Sequence, residues 1–401
     1  MEPDMKSMYE HMAETGQAPT EGCRLIGVGY EDAFERLKQR YILERFARGD
    51  SSEKFIVGPY GSGKTLFLRQ LMETGRSMDC VTSEFQLNKD IDVTKSLHVF
   101  RAVVQAIQSP LSDTHGIRDL LIACLERVQS KASDGQGSAR ALAEAWTAGL
   151  ESADFKLPSF AKVARQGFQA QLSGDEIQFE AATRWLGGEV TNRELAKQLG
   201  TSPVSEKEQT LYGLQAMLSL FQLVRHAGFA GTIIGYDEAE QGLSADKKRW
   251  ARILSMLQSG INAVSDLKNG SALVVYAVTQ DLKEKMQEFP ALQQRIADPG
   301  EGLGFFNGPN TLAPTIDLTQ RRAAPEEELT LIGQRLVAVF FEHVPEATKL
   351  NKKELNERID ALAAQTATTE ASVSNRRTMV KNTCAILLTA LDSGRSAQVS
   401  K

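Results

Sequence analysis

The 401-residue sequence predicts an α/β fold with a mainly parallel sheet, split by a helical insert and followed by a helical lid. Two observations carry that prediction. Short apolar runs alternate with helical periodicity at 50–108 and again at 216–320, the rhythm of strands covered by helices. Residues 110–215 instead carry helical spacing with no good strand, and from 326 onward the pattern is helical again. The expected divisions are an N-terminal arm and lead-in helix (1–49), a first half-core (50–108), the insert (109–215), a second half-core (216–325) and the lid (326–401).

Residues 1–25 are polar with little periodicity, so they are expected as a loose arm or a segment that docks on a partner. Phe34, Leu37, Tyr41, Ile42 and Phe46 fall at helical spacing, and Gly49 should end that helix. Lys54-Phe-Ile-Val57 reads as a short buried strand running into Gly58-Pro-Tyr-Gly-Ser-Gly-Lys-Thr65. A helical pattern at 66–72 is expected to close at Gly75. A strand at 80–87 and a helix at 93–107 follow.

Within the insert, Asp134-Gly-Gln-Gly-Ser138 reads as a loop. Thr191 with Glu194 forms a capping pattern ahead of a Gly200 stop, the look of one helix of a helix-turn-helix and equally of an ordinary bundle. The second half-core opens with a helix at 208–227 stopped by Gly228. Next come a strand at 229–236 ending in Asp237-Glu238, a helix at 247–264, and the apolar strand 272–278 with Thr279-Gln280 at its end. A helix carrying Leu292, Gln294 and Arg295 leads to a last core strand at 315–318. Lid helices are expected at 331–344, 351–363 and 373–391, with fraying from Asp392.

Composition narrows the function classes. The formal net charge of -5 does not draw the chain onto nucleic acid as a whole, so DNA contact needs a local basic face. The densest basic spots are Lys247-Lys248-Arg249, Lys349/Lys352/Lys353 and Arg376-Arg377 with Lys381, each also readable as a solvated helix face. Cys23, Cys80, Cys124 and Cys384 form no CxxC pair, which disfavours structural zinc and suits a reducing cytoplasm. No signal peptide or membrane span is expected. The five histidines lack metal spacing, and no Ser-His-Asp or Cys-His set can be assembled.

The chemistry concentrates in two places. Gly58 to Thr65 matches GxxxxGK[ST] in full, between a strand and a helix, as a P-loop requires. Backbone N–H groups there converge on phosphate oxygens, and the helix N-terminus adds a positive field. The expected nucleotide contacts are Gly58, Pro59, Tyr60, Gly61, Ser62, Gly63, Lys64, Thr65 and Leu66, with Lys64 reaching the β and γ phosphates. Thr65 and Asp237 are the expected magnesium ligands, and Glu238 is placed to orient and polarise the attacking water. A solvated helix start is the bland alternative for the acid pair, and Glu240 is a competitor for the role of Glu238. Thr279 or Gln280 at the next strand end either senses the γ phosphate or holds the water, or is simply a strand cap. Arg295 reaches a neighbouring subunit's nucleotide or forms a surface ion pair. Arg376 and Arg377 project from the lid to the phosphates, bind DNA, or sit at a solvated helix start. ATP and Mg2+ are the expected ligands. A GTPase is disfavoured because Asn88-Lys89-Asp90 lacks guanine-reading spacing and lies too early, and a kinase because no acceptor-binding motif is found.

The sequence resembles the P-loop ATP-binding proteins of bacteriophage-exclusion (BREX) and related bacterial defence systems, distantly akin to the AAA+ ATPases of the Orc/Cdc6 and STAND type. Five segments over most of the length carry the resemblance: GVGYEDAFERLKQRY (27–41), GPYGSGKTLFLRQL (58–71), AATRWLGGE (181–189), LYGLQAMLSLFQLVRHAGFAGTIIGYDEAE (211–240) and SNRRTMVKNTCAILLTAL (374–391). It implies an AAA+-like P-loop core, Mg-ATP chemistry on Lys64, Thr65, Asp237 and Glu238, and ATP hydrolysis. It further implies a role with other defence-system proteins such as a methyltransferase or effectors, with double-stranded DNA and homo-oligomerisation as further expectations. Relatives often carry an apolar residue before the Asp, where this chain has Tyr236 preceded by Gly235. A nucleotide-dependent switch or scaffold with little turnover is the alternative.

Overall fold

The computed structural model describes residues 4–399 except 88–90, 133–137, 239–246, 298–304, 306–311, 320–323 and 369–371, with the backbone alone at 247–249, 291, 372–374 and 394–399. Glu240, Asn88-Lys89-Asp90 and most of the 134–138 loop lie outside the described residues, as do the side chains of Lys247-Lys248-Arg249.

Among the described residues six strands form one sheet in the order β3-β2-β4-β5-β1-β6. They are β1 (Ser52–Val57), β2 (Cys80–Gln86), β3 (Ile107–Gln108), β4 (Gly231–Asp237), β5 (Ala272–Val278) and β6 (Thr315–Asp317). All pairings are parallel except β2 with β3, a two-residue antiparallel edge where the sequence pattern carries on as helix. Ile107 is buried there, so its apolar character serves a strand as well as a helix end. β5 lies between β4 and β1, so the apolar run 272–278 separates the two motif-bearing strands.

Both sheet faces are covered, which is why the parallel strands read as near-continuous apolar runs. On one face α4 (Lys64–Ser77) buries Phe67, Leu68, Leu71 and Met72 against Ile56, Ile233 and Val275. The lead-in run packs beside it: α3 (Glu31–Leu37), a π-helical stretch (Lys38–Arg45) and a 3-10 turn (Phe46–Arg48), ended at Gly49 with φ 83°. Gly75 does not close α4 as its position suggests. It sits inside the helix where a Cβ would run into the Ile233 side chain, so the glycine lets helix and sheet approach closely.

The other face is covered by α5 (Ser96–Ala106), α11 (Gln209–Ala227) and α12 (Lys247–Ser265), whose apolar sides are continuous with the insert's core. The insert comprises α6 (Ile117–Gln129), α7 (Ala139–Gly149), α8 (Pro158–Ser173), α9 (Glu176–Leu186) and α10 (Arg193–Gln198). α10 is capped by Asn192, which accepts from the N–H groups of Glu194 and Leu195 at 3.1 Å each, and not by Thr191. Asn and Thr are both good caps, and the pattern alone did not separate adjacent candidates.

α13 (Gln280–Gln287) and α14 (Pro290–Ile296) lead towards β6. A third core unites α15 (Pro325–His343), α16 (Lys352–Ala367) and α17 (Ser372–Val399) with α1 (Met5–Thr15). The N-terminal segment is therefore not a loose arm. Met5, Met8, Tyr9 and Met12 stand one helical face apart and are buried, Tyr9 donating its hydroxyl to the Leu336 carbonyl at 2.5 Å. Three methionines and one tyrosine among polar residues give only a weak apolar stripe, so the periodicity does not mark this helix. α17 also continues past Asp392 to Val399, with Leu391 buried.

Candidate functional site

The carboxyl ends of β1, β2, β4 and β5 share one sheet edge, and the functional side chains gather there. β1 delivers the chain into Gly58–Thr65, and α4 begins at Lys64 behind Gly63, whose φ of 90° suits a residue without Cβ. Gly58 is equally constrained, since a Cβ would run into Ser62. Lys64, 7% exposed, donates to the carbonyls of Gly58 (2.9 Å) and Pro59 (3.0 Å), so its ammonium is held over the loop. Thr65, in the first turn of α4, donates its hydroxyl to Asp237 Oδ2 at 2.8 Å. Asp237 closes β4 and is 1% exposed, and its Oδ1 accepts the Glu238 N–H at 3.0 Å. Glu238 has φ 51°, in the left-handed region.

This loop is the floor of a cavity of about 440 Å3, whose walls come from three parts of the chain. Tyr60 to Leu66, Arg69, Gln86, Asp237 and Glu238 come from the core. The C-terminal helices supply Ile332, Leu336, Arg376, Arg377 and Val380, and the N-terminal segment supplies Met12, Gly16 to Ala18, Ile26, Val28 and Tyr30. Arg376 spans two of these parts: it donates to the Ser62 carbonyl at 2.7 Å and to Glu328 at 2.9 Å. Tyr30 donates its hydroxyl to the same carbonyl at 3.3 Å. Arg69 fastens the N-terminal segment to α4 through the carbonyls of Ala18 (2.7 Å) and Pro19 (2.9 Å) and pairs with Glu84 at 3.0 Å. Burial, opposed by that arginine, holds the Glu84 carboxyl above its usual range.

The donor set suits a polyphosphate and one hard cation. Ser62 Oγ is buried with no hydrogen-bond partner among the described residues, and the amides of the α4 N-terminus converge beside it. A hydroxyl and a carboxylate in contact, Thr65 and Asp237, can hold a magnesium ion that takes its other ligands from phosphate and water. Among the described residues no three His, Cys, Asp or Glu side chains cluster as metal ligands.

The structure thus brings Lys64, Thr65, Asp237 and Glu238 together. Thr279 lies near the loop, since the carbonyl of its neighbour Val278 accepts the Gly58 N–H at 3.2 Å, but its hydroxyl accepts the Leu282 N–H and caps α13. Gln280 points to Glu284 instead. Neither lines the cavity, and neither does Arg295, which is exposed on α14 with its charge felt by Glu53 near the start of β1. Arg376 and Arg377 do line it, so their place at the start of a helix is not a merely solvated one. Gly235 and Tyr236 leave the strand end well packed: Leu68 and Met72 of α4 fill the space beside Gly235, and Tyr236 stacks on Tyr276 at 4.7 Å.

Sequence reasoning missed the wall from the N-terminal segment and the Arg376 to Ser62 contact. The first had one signal, the Gly27-Val-Gly-Tyr30 run ahead of the lead-in helix. The second joins residues 314 positions apart and leaves no local trace.

A protein-family model described as "BREX system ATP-binding protein BrxC/D" matches residues 11–398. No curated protein and no solved structure matches. The match covers nearly the whole chain, from within α1 through the insert and the C-terminal helices, and the chain belongs to that family.

Proposed function

From membership of this ATP-binding family of the BREX defence system, we propose that the chain is a Mg2+-dependent P-loop ATPase of AAA+-like build. It would act with other defence proteins in a DNA-associated anti-phage complex. The observation that carries the reading is the 2.8 Å contact between Thr65 and Asp237, which unites the two halves of a magnesium site from residues 172 positions apart.

The residues divide the work. The 58–65 amides and Lys64 bind the phosphates and offset their charge. Thr65 and Asp237 hold the cation, which when bound neutralises charge developing on the transferred phosphoryl group. Glu238 lines the same cavity and orients the attacking water as a general base. Met12, Ile26, Val28, Ile332, Leu336 and Val380 supply an apolar wall for the base. Arg376 reports nucleotide state to the C-terminal helices, because one guanidinium touches both the loop and Glu328.

That double contact also favours a second reading, in which ATP holds core and C-terminal helices together as a switch and turnover only resets it. The test is ATP turnover by the purified protein with and without Mg2+ and double-stranded DNA, with Glu238→Gln as control. Mg2+-dependent turnover raised by DNA and lost in the variant supports the ATPase reading. Tight binding with negligible turnover throughout supports the switch, and no ATP binding removes both.

A further inference from the structure

A second cavity of about 440 Å3 lies on the opposite face of the sheet from α4, between β1, β4 and β5 and the helices α5, α11 and α12. Its inner wall is apolar and aromatic. Phe55 stacks on Tyr276 at 5.2 Å, and Tyr276 on Tyr236 at 4.7 Å. Exposed Lys207, Leu211 and Ser259 line its outer part.

Two features do not fit a mere packing defect. Glu53 lines this cavity, and both its carboxyl oxygens are buried with no hydrogen-bond partner among the described residues. Burial pushes its pKa well up, an effect that exposed Arg295 only partly opposes. An acid in an apolar pocket destabilises the fold unless something pairs with it. Gly260, inside α12, also lines the cavity, and a Cβ there would meet nothing within 4 Å. Glycine weakens a helix interior, and here no close packing requires it, in contrast to Gly213 of α11, whose Cβ would strike the backbone of Ser96 and Leu97. The missing side chain leaves volume open opposite the sheet.

We propose that this cavity is a binding site for a small, mainly apolar ligand that presents an amine or amidine nitrogen to Glu53. The apolar walls take the ligand's body, and the carboxyl takes N–H donors that no described residue supplies. Tyr236 and Val278 line the cavity, and the next residues along their strands are Asp237 and Thr279. An occupant therefore lies one residue from the acid at the end of β4. The site is independent of the nucleotide reading, since it shares neither Lys64 nor Thr65.

The test is calorimetric titration of the full chain with arylalkyl monoamines from benzylamine to 4-phenylbutylamine, with 2-phenylethanol as the uncharged counterpart of 2-phenylethylamine. At least one amine should bind saturably at one site, more tightly than the alcohol. Glu53→Gln should weaken the amine by about tenfold or more, the effect of removing the charged partner of a buried hydrogen bond, and leave the alcohol unchanged. Gly260→Leu, which fills the cavity and favours the helix, should abolish binding of both while the protein still melts cooperatively. Absence of saturable binding across the amine series overturns the proposal, as does amine binding that survives either substitution.

Discussion

Lys64 shows how much chemistry one side chain concentrates at this edge of the sheet. Its ammonium is buried and held by two loop carbonyls, so on the proposed reading a phosphate would meet it already ordered. Lys64→Ala should weaken ATP binding by about 1.5–3 kcal/mol, the range for hydrogen bonds to charged groups, measured by equilibrium titration. Glu238→Gln should leave ATP affinity near wild type while turnover falls about a hundredfold, as expected when a general base is lost. Normal turnover in that variant would move the water-orienting role to another acid. Glu53 offers a prediction on stability. Its folded-state pKa is raised well above the ordinary 4.5 by burial. The stability it contributes is therefore full below that ordinary value and is lost as pH rises towards the folded value. Glu53→Gln should melt with the wild type at about pH 4 and above it at about pH 8 in thermal scans. The motif residues were legible in the sequence because their spacing is fixed by local geometry: a turn, a helix N-terminus and a strand end. Glu53 was not, because a glutamate in a short apolar strand gives no sign of which face it meets or what lies opposite.

At the scale of elements, the strands were the most legible part. β5 occupies 272–278 as its apolar run suggests, and β1, β2, β4 and β6 fall within a residue or two of their patterns. Burial on both faces makes such runs continuous, so periodicity marks them well. Errors came where a residue type serves two purposes. Gly75 punctuates helices as a rule, yet here it admits Ile233 into α4. Gly75→Leu should cost several kcal/mol, about the upper range for overpacking, and lower the chemical-denaturation midpoint without changing the site's chemistry. Thr279 ends its strand as a sensor would, yet its hydroxyl caps α13. Thr279→Ala should therefore lower stability by about 1 kcal/mol, the usual worth of a cap. A larger effect on turnover than on stability would restore the sensing role.

At the scale of the whole molecule, two of the three hydrophobic cores among the described residues meet at the loop's cavity, the α4 side through Tyr30 and the terminal helices through Met12, Ile26 and Leu336. α1 and the C-terminal helices form a unit that reaches the loop through Arg376, Arg377 and the 16–30 segment. That convergence was the least legible feature, because it depends on contacts between the two ends of the chain. The family match starts within α1 and ends in α17. Arg295 is exposed on α14 and does not line this chain's own cavity, so a role for it at a nucleotide would have to be exerted across an assembly. Arg295→Ala should reduce turnover only at protein concentrations where subunits associate, and turnover per subunit independent of concentration would contradict a role in trans. No helix among the described residues is long and apolar enough to cross a membrane.

The central claim is that Lys64, Thr65 and Asp237 form one Mg-ATP site. The most direct test is equilibrium binding of ATP with Mg2+ and with EDTA, comparing wild type with Asp237→Asn. Binding that is tighter with Mg2+ in the wild type, with that gain lost in Asp237→Asn, is the expected result. An equal Mg2+ effect in both proteins, or no ATP binding by the wild type, would contradict it.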